Sequence, residues 1–142
     1  MRAVVARAKE LRYAVELTAA GELRDENGVT LEVPAEWSPE HLLLAALVRC
    51  SLKSLRHHAR RNGVEVRSAS GSGRTLVTKR ELDDRYALVD TDVELAVELE
   101  PEPEPDPLAE LLALAARDCF VGSSLTAGPS YRWLVNGRTI GS

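Results

Sequence analysis

Cys50 and Cys119 are the only two cysteines among the 142 residues of this chain. Cys50 lies deep in the run Ser38-Pro-Glu-His-Leu-Leu-Leu-Ala-Ala-Leu-Val-Arg-Cys-Ser-Leu, and Cys119 ends a second helical run that starts at Leu108. A thiol inside an apolar helix is most often a small hydrophobe. Two such thiols on separate helices, with the carboxylate of Glu40 upstream of the first, also suit a peroxidatic and resolving pair. A thiolate, not a thiol, attacks a peroxide O–O bond. An unperturbed cysteine has a pKa of about 8.5, so only a few per cent is ionised at pH 7. Burial among leucines raises that value further. A guanidinium close by reverses the shift and stabilises charge on the leaving oxygen, and a carboxylate can fix its orientation.

Other residue types offer less. Zinc takes about four ligands, and two cysteines and three histidines without CxxC or HExxH spacing do not build such a site. His57 follows Cys50 by seven residues, about 10 Å along a helix, which is too far for a dyad within one chain. His57 and His58 read as a solvated helix face, and Arg49 points about 100° away from Cys50. Ser70-Gly-Ser-Gly reads as a loop without the lysine of a phosphate cradle. Tyr131 and Trp133 read as core.

Bulk composition narrows the partners. The net charge of −4 and 4% aromatic content argue against nucleic acid, an anionic membrane surface and base-stacking platforms. The longest apolar run, Leu42 to Val48, is far short of the roughly 20 residues a membrane span needs. Charges interrupt the apolar start of the chain too early for a signal peptide. The expectation is a cytoplasmic protein with one domain over residues 1–142, in which two thiols are reactive or inert rather than a permanent staple.

The elements that must hold the thiols follow from periodicity. Residues 11–18 alternate as a strand, and residues 20–33 read as a hairpin about Asn27-Gly28. Ser38 caps a helix that Pro39 opens, with Glu40 in its first turn and Asn62-Gly63 as its stop. From Leu42 to Val48 that helix is apolar nearly all round, so it needs cover on more than one side, which a second subunit could supply. Residues 64–69, 74–82 and 85–99 read as strands, with a turn at Asp83-Asp84. A stiff Pro/Glu-rich spacer over 100–107 precedes the second helix, which Asp106 caps and Pro107 opens. A last strand, Tyr131 to Val135, closes at Asn136-Gly137. The order β-β-α-β-β-β-α-β is an α+β pattern with mostly antiparallel pairing.

Pro39-Glu40, the leucines after it, Ala45-Ala46 and then Cys50 resemble the central helix of the OsmC/Ohr family of bacterial peroxide-detoxifying proteins. Ala116 to Leu125 resembles that family's second cysteine motif, with Phe120 where many members have proline after the cysteine. The resemblance covers nearly the whole chain. It implies antiparallel sheets around a long central helix, in an intertwined homodimer with two sites at the subunit interface. It implies Cys50 as peroxidatic thiol and Cys119 as resolving thiol, joined in a disulfide that an external dithiol reduces. An arginine from the N-terminal strands, Arg24 or Arg12, would pair with Glu40 beside Cys50. On one continuous helix, Glu40 and Cys50 stand about 15 Å apart, so for both to serve one site either Glu40 comes from the partner subunit or the helix breaks. Leu43, Leu47 and Trp37 suit an organic hydroperoxide as substrate, with no cofactor. Two alternatives stand beside this reading: a non-catalytic dimer that binds a hydrophobic small molecule, and a redox sensor.

Overall fold

The computed structural model describes residues 8–141. The chain divides after Ser38 into two compact units.

The first unit carries an antiparallel sheet in the order β1 (Val15–Leu17), β2 (Leu23–Asp25), β3 (Thr30–Leu31). Its turn forms where Asn-Gly predicts it. The Asp25 carboxylate accepts the N–H groups of Asn27 and Val29, each at 2.9 Å, and Gly28 takes the positive φ (+83°) that the turn requires. The strand expected over 11–18 contracts to three residues, and the hairpin contributes two more short strands, one more than the expected order contains. Strands this short bury little. Val15, Leu17 and Leu31 remain exposed in the isolated chain.

The second unit begins with α1 (Pro39–Arg61). Pro39 and Glu40 form its first turn, as expected, and Gly63 (φ +69°) ends it. Leu47, Ser51, Ser54, Leu55 and Ala59 form its buried face, at spacings of three and four residues. That face packs with α2 (Pro105–Arg117) on a sheet in the order β4 (Glu65–Lys79), β5 (Tyr86–Glu100), β6 (Ser130–Val135), β7 (Arg138–Ile140). Pairing is antiparallel except between β5 and β6, which run parallel. Along β5 the odd positions Thr91, Val93, Leu95, Val97 and Leu99 are buried and the alternate ones face outward, so one face of the sheet meets the helices. The result is the expected mixture of helices with largely antiparallel sheets.

Three expectations need correction. Ser70 to Gly73 is not a loop but the middle of β4, which runs unbroken for 15 residues. Its glycines are there for room: a Cβ at Gly71 would lie 2.6 Å from Leu95 Cδ2 and 3.0 Å from Val48 Cγ1 of α1. The second helix starts earlier than Asp106, with Glu104 as N-cap and Pro105 in the first turn, where a missing N–H costs nothing. The stiff spacer therefore ends before Pro105, and Glu102 within it is tied to the β6–β7 turn by Asn136 Nδ2 (3.0 Å) and Arg138 (2.6 Å). Finally, α2 stops at Arg117. Cys119 is extended (φ −74°, ψ 112°) and caps a separate short helix, α3 (Phe120–Ser123).

Candidate functional site

α1 supplies Cys50 and Ser51 as neighbours that face differently. Ser51 continues the stripe Leu47–Ser51–Leu55 and is fully buried, while Cys50 sits at its edge and is half-buried. The α2–α3 junction brings Cys119, itself fully buried, against this stretch of helix, so that each thiol influences the other's ionisation. The structure thus unites Cys50 and Cys119 from positions 69 residues apart in sequence.

A polar cluster surrounds the Cys119 sulfur. The Gly122 backbone N–H donates to it at 3.4 Å. Ser51 Oγ lies 3.6 Å from the sulfur, 2.8 Å from the Leu47 carbonyl oxygen and 3.0 Å from the Tyr131 hydroxyl. Tyr131 comes from β6, where its ring stacks on Trp133 with centroids 5.9 Å apart. Gly122 leaves space for the cluster, since a Cβ there would stand 3.2 Å from the Tyr131 oxygen and 3.5 Å from the Cys119 sulfur.

The two thiols respond in opposite directions. Burial pushes Cys50 up, opposed by the Val121 backbone N–H, and the neighbouring Cys119 adds to the rise. Burial also acts to raise Cys119, but the Gly122 N–H, the Ser51 hydroxyl, Cys50 and the Tyr131 hydroxyl together outweigh it, and the net direction is down. Burial pushes the Tyr131 phenol up to about 12, which keeps it a hydrogen-bond donor at neutral pH.

One residue before Cys119, Asp118 receives Arg117 Nε at 2.8 Å and meets His58 Nε2 of α1 at 2.7 Å. The Arg117 hydrogen bond leads in holding the Asp118 carboxyl at about 2, against the opposing effect of desolvation, and His58 adds to the lowering. His58 is therefore no solvated helix residue; its side chain is 13% exposed, whereas His57 is exposed.

The remaining candidate residues stand apart from this cluster in sequence. Glu40 is half-buried in the first turn of α1. Because α1 is unbroken, Glu40 and Cys50 of one chain are separated by about 15 Å along the axis. Arg24, on β2, approaches Glu16 at 3.9 Å and Glu22 at 3.8 Å. Arg12 pairs with Glu10 at 3.5 Å. Among the described residues, no group of His, Cys, Asp and Glu is arranged to hold a metal ion, and no helix is long and apolar enough to cross a membrane.

Sequence reading did not single out Ser51, Gly122 or the Tyr131 hydroxyl. Ser51 did carry a signal: it interrupts an apolar helical stripe, and a buried hydroxyl needs a partner. For Tyr131 the alternation of β6 predicts an inward side chain without naming what its oxygen meets.

Comparison with known proteins gives a consistent picture. Residues 32–133 match the profile of a family described as OsmC-like protein. No curated protein sequence matches the chain. An OsmC-like protein of unknown function from Vibrio cholerae superposes with a TM-score of 0.73 at 15% identity, over 89% of this chain and 100% of that one. The organic hydroperoxide resistance protein OhrB of Bacillus subtilis gives a TM-score of 0.52 at 19% identity, over 88% and 96% of the two chains. An organic hydroperoxide resistance protein from Elizabethkingia anophelis, solved with thiocyanate bound, gives 0.60 at 15% identity, over 91% and 98%. At these identities the likeness establishes the fold.

Proposed function

The chain belongs to the OsmC-like protein family, and on that premise we propose that it is a homodimeric, thiol-dependent peroxidase that reduces organic hydroperoxides. The observation that carries this reading is the placing of Cys50 and Cys119 close enough that each shifts the other's ionisation, one half-buried and the other enclosed. The more accessible Cys50 is the natural first reactant. Its thiolate attacks an oxygen of ROOH, the O–O bond breaks, and the alkoxide leaves and takes a proton as ROH. Cys50 becomes a sulfenic acid. Cys119 then attacks that sulfur and displaces water, which leaves a Cys50–Cys119 disulfide. An external dithiol reduces the disulfide and is itself oxidised.

Cys50 needs help to ionise, because burial and Cys119 push its pKa up. In this proposal a guanidinium, from Arg24 or Arg12, supplies that help, and Glu40 of the second subunit orients it. The half-buried leucines of α1, such as Leu43, favour an organic over an inorganic peroxide. The upward shift of Cys50 equally favours a second reading, a dimer that binds a hydrophobic small molecule without turnover. Hydroperoxide consumption in the presence of a dithiol separates them. Turnover well above the protein-free rate supports the peroxidase, and consumption at background supports the binder.

A further inference from the structure

The side-chain hydroxyls in this site are gathered on Cys119, whereas Cys50 meets backbone N–H groups, those of Val121 and Phe120. Gly122 N–H points at the Cys119 sulfur from 3.4 Å, and Ser51 Oγ stands 3.6 Å away with the Tyr131 hydroxyl 3.0 Å behind it. A serine hydroxyl has one proton. With Cys119 protonated, that proton rests on the Leu47 carbonyl at 2.8 Å. Rotation about the Cβ–Oγ bond turns that O–H toward a Cys119 thiolate, and the Tyr131 O–H is then free to donate to Ser51 Oγ or to the sulfur itself. Hydrogen bonds to a charged acceptor are stronger than those to a neutral one, so the cluster favours the thiolate.

We infer that Ser51, Tyr131 and Gly122 form a hydrogen-bonded cradle for the Cys119 thiolate, and that this makes Cys119 the departing sulfur when the Cys50–Cys119 disulfide is reduced. Ser51 and Tyr131 are positioning residues in this scheme, because they act through Cys119. The inference rests on the disulfide cycle proposed above. A reductant thiolate attacks the half-buried Cys50 sulfur, a bond from reductant to Cys50 forms, and the Cys50–Cys119 bond breaks. Its electron pair goes to the Cys119 sulfur, where the Ser51 proton and the Gly122 N–H stabilise it. A second reductant thiolate then attacks the reductant's sulfur and releases the Cys50 thiolate. The thiol reductant is oxidised to its disulfide, and both cysteines take protons from water. Disulfide exchange is faster when the leaving thiol has a lower pKa, so the cradle acts on re-reduction rather than on peroxide attack.

Two measurements test this without peroxide. The disulfide is made with diamide, and the purified oxidised protein is treated with 2-mercaptoethanol, quenched in acid and mapped by mass spectrometry. The expected mixed disulfide is on Cys50 with Cys119 free; an adduct on Cys119 would overturn the assignment. Reduction by 2-mercaptoethanol should slow by roughly three- to tenfold in Ser51→Ala, and in the same direction in Tyr131→Phe. In a Cys50→Ser background, thiolate absorbance against pH should show the Cys119 midpoint rising by about one unit or more on Ser51→Ala. Unchanged rates and an unchanged midpoint in both variants would refute the cradle. Tyr131→Phe removes a single oxygen and keeps the test available if Ser51→Ala does not fold. Failure of organic hydroperoxide to oxidise the protein would instead strike the peroxidase reading, and it would leave the Cys119 titration to stand or fall by itself.

Discussion

His58 Nε2 and the Asp118 carboxylate lie 2.7 Å apart, and this pair ties the second half of α1 to the residue before Cys119. Arg117 holds the other carboxylate oxygen at 2.8 Å. The three side chains fix the point where α2 ends and the extended Cys119 begins.

A pH dependence of stability follows. An Asp whose folded pKa is depressed contributes stability that is fully present above its unfolded value, about 3.9, and is lost as pH falls through the folded value. For Asp118 that folded value is about 2. Urea unfolding between these limits should show a steep loss of stability with acidification. Asp118→Asn should flatten that part of the profile and lower stability at pH 7, and an unaltered profile would remove Asp118 from the account.

Close approach of α1 to β4 gives a second expectation. Gly71→Ala places a Cβ within 3.0 Å of Val48 Cγ1 and closer still to the buried Leu95. We expect a loss of about 1–3 kcal/mol from overpacking. Gly128→Ala meets nothing within 4 Å and serves as the control, with an expected change within about 0.5 kcal/mol. Equal midpoints for the two variants in chemical denaturation would mean that α1 and β4 are not packed this tightly.

The two cysteines should fail differently. Cys50→Ser should abolish hydroperoxide turnover, because no other thiol is accessible. Cys119→Ser should allow one round of oxidation that stalls at the sulfenic acid or proceeds beyond it. Single-turnover assays with mass detection distinguish these outcomes, and sustained turnover by Cys50→Ser would remove its assigned role.

Association state is the fourth expectation. Val15, Leu17 and Tyr86 are each at least 70% exposed in the single chain, as is Leu82 at the tip of the β4–β5 hairpin. The proposed dimer would give such apolar side chains cover. Sedimentation at micromolar concentration should give twice the chain mass of 15.5 kDa. A monomer would contradict a site that borrows Glu40 from a second copy.

The sequence made some of this legible and hid the rest for physical reasons. α1 could be read to the residue because Pro39 and Gly63 are strong stereochemical signals at its two ends. β5 could be read because its alternation is strict. Ser70 to Gly73 misled because glycine in a strand looks like glycine in a loop until the helix that crosses it is known. Cys119 misled because helical periodicity runs on through Ala115 and Ala116, while the actual end at Arg117 is marked by a tertiary contact, Asp118 with His58 of α1, and by the local Gly122 N–H on the Cys119 sulfur. Both cysteines were visible as candidates, but the hydrogen bonds around Cys119 join residues 68 and 80 positions apart, and no local pattern encodes them.

The most direct test of the peroxidase account is intact mass and free-thiol count after one equivalent of an organic hydroperoxide. The account predicts loss of both thiols and of about 2 Da per chain, with Cys50 joined to Cys119. Two unreacted thiols would contradict it and leave Cys50 as a packing residue of α1.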